Sequence, residues 1–297
     1  MAMTRLRPAL ALAAVFALGG CDYINTMLHP SPGIAFAPYT ADYHSKPDFA
    51  QIEYRYPLLP VDLQKLDPDN LRNYEQEQID QIYARLSAGP IPDCAYDGGL
   101  FFPKGVNGDR RIAEIIGGLP GLLVEINMQK VELIGKTLWK GKAFYRDERV
   151  LRNRIEDLAL LKPLIDGDLS TIPKITVNGR DQWLMFPAKL YCGQSLLDSR
   201  RESVIIDYAF TDGIPGYRER PDYLAGRNGF QVRDEIRMVR PGFYLGRAYI
   251  GRVFLLNFTL YNRQVAERDG PQFLKTGQAS EDCWQGTQRR ATVTASQ

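Results

Sequence analysis

Residues 231–261 decide the fold, and they read QVRDEIRMVRPGFYLGRAYIGRVFLLNFTLY. The stretch contains three strand-length runs, Gln231–Val239, Phe243–Tyr249 and Arg252–Tyr261, separated by Pro241-Gly242 and Ile250-Gly251. Alternating apolar and polar residues predict strands, because successive side chains of a strand point to opposite faces. Strands joined this closely must pair antiparallel, since a parallel crossover needs about a dozen residues or more.

Three earlier segments follow the same pattern. Trp139–Tyr145 alternates, Ser203–Phe210 is another strand-length run, and Ile175–Asp181 contains Asn178-Gly179. An Asn-Gly pair favours the positive φ angles of a type I′ turn and so predicts a hairpin. Several successive hairpins imply a curled sheet. The sequence therefore predicts an α+β, mainly β protein whose antiparallel meander forms a small barrel over residues 135–262.

The segment before the barrel, residues 61–134, is predicted to be a helix-rich lead-in. Its clearest helix follows Asn73, a candidate N-cap, and ends at Gly89-Pro90; the apolar residues at helical spacing are Ile79, Ile82, Tyr83 and Leu86. A turn-rich stretch over 89–103 leads into a short strand, and Arg110–Ile116 is a second helical segment. A similar apolar period predicts a helix from residue 148 to residue 161.

The first 21 residues have the features of an export signal. Arg5 and Arg7 form a basic front, residues 9–18 are apolar, and the stretch ends in Leu18-Gly19-Gly20-Cys21. A basic front, an apolar stretch of about 7–15 residues and small residues at the cut mark secretory signals. The last four residues resemble the lipobox of bacterial lipoproteins, in which the cysteine is diacylated. We therefore expect residues 1–20 to be a signal peptide and Cys21 to join the chain to membrane lipid. An ordinary signal with an incidental cysteine is the alternative.

The residues after Cys21 bear on location. Asp22 resembles the signal that retains many enteric lipoproteins at the inner membrane; alternatively, it only begins a soluble linker. Residues 21–60 are rich in proline, which blocks helices and central strands, so we expect an extended tether. These features predict an envelope protein at the periplasmic face of the inner membrane. Residues 61–297 are expected to form a single globular domain, with 263–297 as its C-terminal tail.

Composition argues against several function classes. Removal of residues 1–20 leaves 35 basic and 35 acidic residues. A nucleic-acid surface would need a basic excess, so no nucleic-acid partner is predicted. The two histidines, His29 and His44, lie in the tether, and no Cys-x-x-Cys, Gly-x-Ser-x-Gly or phosphate-binding loop occurs. The sequence thus argues against common hydrolases, metalloenzymes and nucleotide enzymes, and it predicts no metal or other cofactor.

Three cysteines remain besides Cys21, namely Cys94, Cys192 and Cys283. In an oxidising compartment, three cysteines permit one disulfide. We favour Cys192–Cys283, because both lie in the C-terminal half that is predicted to be one barrel. A free buried thiol is the alternative for each of them.

Charged residues within the strands are candidates for a site. Alternation places Arg233, Glu235 and Arg237 on one face of a strand, and Asp234 and Ile236 on the other. If the first face lines a barrel lumen, a glutamate between two arginines can hold a carboxylate or phosphate group. If that face is solvated, its ion pairs contribute about 0–1 kcal/mol each.

An acid/base site is a second possibility. Asp207 and Tyr208 are adjacent in a predicted strand, and Glu235 is a further carboxylate that could act with Tyr208 or Tyr244. Such chemistry needs a carboxylate buried in a pocket with a raised pKa. A complete catalytic set is not recognisable, so enzymatic activity is the secondary hypothesis.

The β segments resemble a known family. Residues 137–144 resemble the Gly-x-Trp-x-Gly-Lys-x-Phe opening of calycin-like barrel proteins, with Thr137 in place of the first glycine. Residues 203–208 and 234–246 are similar to later strands of that family, and residues 146–200 look like a large insertion. The resemblance implies a lipocalin-like barrel with an apolar pocket. The whole chain also resembles a proteobacterial lipoprotein group with no assigned activity.

These observations predict a membrane-anchored lipoprotein that binds a small hydrophobic or amphipathic molecule, such as a lipid or fatty acid, inside the barrel. The basic candidates would meet an acidic head group, and the predicted ligand-binding residues are Trp139, Lys189, Arg233, Arg237 and Tyr244. For Trp139, packing at the closed end of the barrel is the alternative. An enzyme acting on a lipid-like or aromatic substrate and an envelope scaffold are the other two hypotheses.

Overall fold

The computed structural model describes residues 29–106, except 41, 43 and 44, and residues 139–286, except 160. The strands in this part of the chain are β1 (Cys94–Phe101), β2 (Trp139–Tyr145), β3 (Val150–Ile155), β4 (Lys174–Val177), β5 (Arg180–Gln194), β6 (Glu202–Asp207), β7 (Val232–Arg240), β8 (Phe243–Ile250) and β9 (Val253–Tyr261). The helices are α1 (Phe49–Arg55), α2 (Pro60–Lys65), α3 (Gln76–Ala84), α4 (Glu219–Asp222) and α5 (Arg263–Thr276). The predicted signal peptide, Cys21, Asp22 and the predicted helix Arg110–Ile116 lie outside the described residues.

Eight strands form a closed antiparallel barrel. Neighbouring strands follow the order β3-β2-β1-β9-β8-β7-β6-β5, and β5 also pairs with β3. The 15 residues of β5 make this closure possible, because its middle part pairs with β3 and its last part pairs with β6. β4 adds a hairpin to the start of β5. The predicted fold class, a mainly β protein with a calycin-like barrel and a few helices, is confirmed.

The stretch that decides the fold forms β7, β8 and β9, and each of these strands pairs antiparallel with the next. Gly242 and Gly251 take φ angles of 76° and 58° in the two tight turns. Asn178 and Gly179, with φ angles of 51° and 76°, form the predicted turn between β4 and β5. Turn chemistry and alternation are local properties of the chain, which is why the sequence predicts these strands well.

The helix predicted over residues 148–161 is wrong, because Val150–Ile155 forms strand β3. Leu151 and Ile155 are four residues apart, a spacing that fits one face of a helix and also one face of a strand. Both side chains face the lumen, and pairing of β3 with β2 and β5 decides between the two structures. Residues 146–200 are therefore not an insertion into the barrel. They supply the two strands that close it.

The barrel also begins earlier than predicted. β1 lies within the predicted lead-in, and it pairs with β2 on one side and with β9 on the other. The sequence of β1, CAYDGGLF, alternates poorly and contains two consecutive glycines. The sequence predicts a short strand near here, but not its place in the barrel, because its pairing with β9 joins parts of the chain that are more than 150 residues apart.

Helices also occur in the predicted tether and in the predicted C-terminal tail. α1 lies in the predicted tether and begins after Asp48, whose side chain accepts a hydrogen bond from the Ala50 backbone N–H. α5 lies in the predicted tail; Asn262 caps its first turn, and Gly277 ends it with a φ angle of 66°. Such caps favour helices, although the tether is rich in proline and the tail is polar. None of the helices in the described part of the chain is both long and apolar enough to cross a membrane.

α3 corresponds to the helix predicted after Asn73, but it begins at Gln76. Asn73 donates a hydrogen bond to the His29 carbonyl and does not cap α3. The apolar side of α3 packs on the outer face of the barrel, where Ile79 and Ile82 join a core that includes Phe243 and Leu245. The described residues form three hydrophobic cores: one inside the barrel, one between the barrel wall and the helices, and a third that includes Leu158 and Leu161.

The chain around Ile91 and the chain around Cys283 cover one end of the barrel. A disulfide joins Cys192 to Cys283, with the sulfur atoms 2.09 Å apart, and this is the pairing that the sequence favoured. Asp282 accepts a hydrogen bond from the Ile91 backbone N–H at 2.8 Å, and Ile91 and Cys283 both belong to the lumen core. Cys94 is free and exposed. We call the covered end the closed end and the opposite end the open end.

Candidate ligand-binding cavity

The open half of the barrel contains a cavity of about 230 Å³. Most of its lining is aliphatic or aromatic, and these residues are Leu100, Trp139, Ile155, Phe186, Ala225, Val232, Ala248, Leu256 and Phe258. Four polar side chains complete the lining, those of Lys142, Asn153, Tyr208 and Asp234. A concave, mainly apolar pocket with a few convergent polar groups is the usual form of a small-molecule site.

The four polar side chains, which we call the polar cluster, come from different parts of the barrel wall. Lys142 lies on β2, Asn153 on β3 and Asp234 on β7, and Tyr208 directly follows β6. Each occupies the lumen face of its strand, because residues two positions away, such as Ile236, belong to the lumen core. Closure of the sheet brings these four positions together in the wall of one cavity.

Lys142 is the centre of the polar cluster. Its Nζ donates hydrogen bonds to Asp234 Oδ2 at 3.0 Å, to the Tyr208 hydroxyl at 2.7 Å and to Asn153 Oδ1 at 3.0 Å. Lys142 is 2% exposed and Asp234 is 4% exposed. A buried charge is tolerated only when it is paired and hydrogen-bonded, and this arrangement meets both conditions.

Asn153 joins the cluster to the cavity wall. Its Oδ1 accepts a hydrogen bond from Trp139 Nε1 at 2.8 Å, and its Nδ2 donates to the Tyr208 hydroxyl and to the Phe186 carbonyl, both at 3.0 Å. The orientation of the amide follows from its partners, because an ammonium and an indole N–H can only donate. The Tyr208 hydroxyl donates to Asp234 Oδ2 at 3.3 Å.

The surroundings of the cluster determine its protonation. Burial acts to lower the pKa of Lys142, but the Asp234 carboxylate and the Tyr208 hydroxyl outweigh that effect and hold the pKa above its ordinary value of 10.5. Burial raises the pKa of Tyr208 to about 12, although the Lys142 ammonium acts in the opposite direction. At neutral pH Lys142 is therefore an ammonium and Tyr208 a neutral phenol.

Two glycines allow aromatic rings to lie directly against the barrel wall. A Cβ atom at Gly98 would lie 2.4 Å from the ring of Trp139, and one at Gly246 would lie 2.2 Å from the ring of Phe258. The two rings meet edge to face with their centroids 6.0 Å apart. Trp139 thus lies beside the cavity and not among the side chains that pack the closed end.

Tyr244 lies in the packed half of the lumen, on the other side of the polar cluster. Its hydroxyl donates a hydrogen bond to the Pro90 carbonyl at 2.7 Å, and its ring meets that of Tyr96 edge to face at 5.7 Å. Tyr244 does not line this cavity; it borders a second cavity. It closes the barrel from within.

The arginines predicted to meet the ligand lie outside the lumen. Alternation separates the two faces of β7 as expected, but Asp234 and Ile236 face the lumen, whereas Arg233 and Arg237 face outward. Arg237 is fully buried under α3, where it donates hydrogen bonds to Asp198 Oδ2 at 3.1 Å and to the Tyr83 carbonyl at 3.2 Å. The alternative of a solvated face is equally wrong for Arg237, because packed segments cover it.

Glu235 also packs outside the lumen. It is fully buried and accepts a hydrogen bond from the Leu196 backbone N–H at 2.8 Å. It also forms an ion pair with Arg233 at 3.1 Å. The carboxylate fastens the segment 195–201 to the barrel wall, and the cavity is on the opposite side of β7. Neither a ligand-binding nor a catalytic role in the cavity follows for Glu235.

The predicted acid/base pair is not assembled, because adjacent residues of a strand point to opposite faces. Tyr208 points into the cavity, while Asp207 lies on the outer face and accepts hydrogen bonds from the Tyr191 hydroxyl and the Ala209 backbone N–H, both at 2.8 Å. Lys189 is exposed on the neighbouring strand, opposite Asp207 in register. Lys189 does not line the cavity either.

Asp234, Asn153 and Lys142 belong to the site but were not predicted as ligand-binding residues. A usable signal was present in β7, where Asp234 is the single polar residue on the face that it shares with Ile236 and Met238. A charged residue on an otherwise apolar strand face must be paired inside the lumen. The opposite face of β7 carries more charges, but α3 and the segment 195–201 cover it.

Two groups of side chains among the described residues have the spacing of metal ligands. His29, Asp67 and Asp69 bring three such atoms within 4.8 Å of one another, but Asp67 Oδ1 already accepts the backbone N–H groups of Asp69 and Asn70 in a turn. In the second group, the sulfur atoms belong to the disulfide. We assign no metal to either group.

No family model matches the chain, and no curated protein matches it. Among solved structures, the chain matches a protein from Thermomonospora curvata with 17% sequence identity and a TM-score of 0.32, over 64% of this chain and 89% of that chain. A likeness at this level carries no argument about function. The fold described above follows from the strand pairing alone.

Proposed function

We propose that this protein is a lipid-anchored envelope protein that binds a small hydrophobic or amphipathic molecule in the open half of its barrel. The observation that carries the proposal is the apolar cavity of about 230 Å³ with the polar cluster at its base. Purely structural barrels fill their interior with side chains, whereas wider ones enclose a ligand. Here the apolar cavity with its polar cluster lies in the open half.

The size of the cavity limits the part of the ligand that it encloses. An apolar cavity of about 150 Å³ accommodates a benzene molecule, so about 230 Å³ corresponds to roughly nine or ten non-hydrogen atoms. A whole diacyl lipid exceeds this volume. The proposed ligand is therefore a medium-length chain or a single substituted ring, or a larger molecule of which only such a portion enters.

Native mass spectrometry combined with solvent extraction tests the binding. We expect the purified protein, carrying Cys21→Ser to prevent acylation, to retain or take up a stoichiometric small molecule from an envelope extract. Ala248→Phe introduces a ring into the cavity lining and should abolish the retention. Ala159→Phe, at an exposed position outside the barrel, is the matched control. Equal retention by both variants, or an empty wild-type protein after exposure to the extract, would refute a ligand site in the lumen.

The anchoring part of the proposal depends on the sequence around Cys21. Two acyl chains give stable membrane attachment, where one gives only marginal binding. Cells that express the full-length protein should incorporate labelled palmitate into it and retain it in the membrane fraction. Cys21→Ser should remove the label, while Cys94→Ser should not. Labelling that persists in the Cys21→Ser variant would contradict lipidation at that position.

A further inference from the structure

The polar cluster uses every hydrogen-bond donor that it possesses. The Lys142 ammonium has three N–H groups and three acceptors within 3.0 Å. Both N–H groups of the Asn153 amide are used within the protein, and so is the Trp139 indole N–H. The Tyr208 hydroxyl donates to Asp234 Oδ2. A ligand that enters the cavity finds no donor left in this cluster.

The acceptors of the cluster are used as well, with one exception. Asn153 Oδ1 accepts two hydrogen bonds, the Tyr208 hydroxyl accepts two, and Asp234 Oδ2 accepts two. Among the described residues, Asp234 Oδ1 accepts none, although Asp234 lines the cavity and is only 4% exposed. Asp234 Oδ1 is not one of the fully buried atoms that lack a partner, so it is accessible from the cavity, where a ligand group that donates to it can complete the cluster.

Charge adds a second restriction. The Lys142 ammonium is already neutralised by Asp234 at 3.0 Å, and no other cationic side chain in the described part of the chain lines the cavity. A carboxylate or phosphate in the cavity would meet the free oxygen of Asp234 without a donor in the cluster to bind it. The acidic head group expected from the sequence therefore lacks its partner, because both predicted arginines lie on the outer face.

We infer that the ligand presents an uncharged hydrogen-bond donor, a hydroxyl or amide N–H group, to Asp234 Oδ1, with its apolar part in the cavity lined by Trp139 and Phe258. The inference rests on the proposed function, since it names the chemical class of ligand for the same cavity. It excludes fatty acids and other anions as preferred ligands. It also makes Asp234, and not an arginine or lysine, the residue that determines specificity.

Calorimetric titration of the full chain carrying Cys21→Ser with three compounds of similar size tests the inference. The compounds are n-octanol, which donates a hydrogen bond, heptyl methyl ether, which does not, and octanoate, which is an anion. The ether should bind about tenfold to a hundredfold more weakly than the alcohol, because it leaves Asp234 Oδ1 unpaired. Octanoate should bind weaker by about two orders of magnitude at neutral pH, the size expected for a like-charge contact in a desolvated site.

The variant Asp234→Asn tests whether the Asp234 carboxylate determines which ligand is preferred. Loss of the carboxylate leaves the Lys142 ammonium without a counter-charge, so octanoate should now bind more tightly than n-octanol. Asp147→Asn makes the same chemical change in the exposed turn between β2 and β3 and should leave the wild-type order intact. The wild-type series decides the inference even if Asp234→Asn does not fold.

The outcomes separate this inference from the proposed function. Binding of all three compounds with equal affinity, or tighter binding of octanoate, would overturn the donor requirement and leave the cavity as a ligand site. If none of the three binds and Ala248→Phe changes nothing in the extract experiment, the proposed function itself fails. Binding in the order alcohol, ether, octanoate, with inversion in Asp234→Asn, supports both.

Discussion

Replacement of Lys142 by methionine is the most informative perturbation of the barrel. Lys142→Met keeps most of the side-chain volume but removes the ammonium from the pair with Asp234, and both residues are almost completely buried. The Asp234 carboxylate would then remain buried with the Tyr208 hydroxyl, at 3.3 Å, as its one donor in the cluster. Breaking a buried ion pair on one side destabilises a protein by about 3–5 kcal/mol.

That loss is large relative to the free energy of unfolding of a typical domain, about 5–15 kcal/mol. Urea denaturation followed by circular dichroism measures it, with the midpoint and the slope fitted separately. Lys140→Met is the matched control on the same strand. Lys140 pairs with Glu156 at 2.7 Å on the outer face, where solvent screens the pair and Glu156 keeps Arg180 as a second partner, so little stability should be lost.

The double variant Lys142→Met/Asp234→Leu distinguishes charge from packing. Removing both charges leaves no uncompensated ion, so most of the stability lost in Lys142→Met should return. A loss below about 1 kcal/mol in Lys142→Met, equal to that in Lys140→Met, would refute the view that a desolvated pair organises the lumen. A double variant no more stable than Lys142→Met would assign the loss to packing.

Three further predictions concern the closed end, the cavity wall and pH. The disulfide closes a loop with a sequence separation of 91, for which the chain-entropy model gives a stabilisation of about 4.6 kcal/mol. In urea denaturation, Cys192→Ser/Cys283→Ser should lower the free energy of unfolding by about 2–5 kcal/mol. Cys94→Ser, the control, should match the wild type. Gly246→Ala should displace the Phe258 ring from the wall into the cavity, destabilise the protein by about 1–3 kcal/mol and weaken n-octanol binding in calorimetry; unchanged binding would contradict the assigned wall. The pKa of Lys142 is raised in the folded state, so its contribution to the free energy of unfolding is fully present below pH 10.5 and is lost as the pH rises through the folded-state pKa. The stability of the wild type relative to Lys142→Met/Asp234→Leu should therefore stay constant between about pH 6 and about pH 9 and fall above about pH 10.5. A fall near neutral pH would show that a different group titrates in the cluster.

The sequence predicts which side chains of a strand share a face, but not whether that face points into the barrel or away from it. Alternation in β7 separates Asp234 and Ile236 from Arg233 and Arg237, and the structure keeps that separation. Which face is inside depends on the direction in which the sheet curls and on the helices that cover its outer side. α3 and the segment 195–201 cover the arginine face, and both come from parts of the chain distant from β7.

Local chemistry determined much of this protein from the sequence alone. Period-two alternation, the Asn178-Gly179 turn and the short links around Pro241-Gly242 and Ile250-Gly251 predict antiparallel strands, because they act over a few residues. The tertiary structure alone decided the closure of the barrel through β1, β3 and β5, the inward face of β7 and the assembly of the polar cluster. These depend on contacts between residues far apart in the chain, where only the packed lumen selects one arrangement over another.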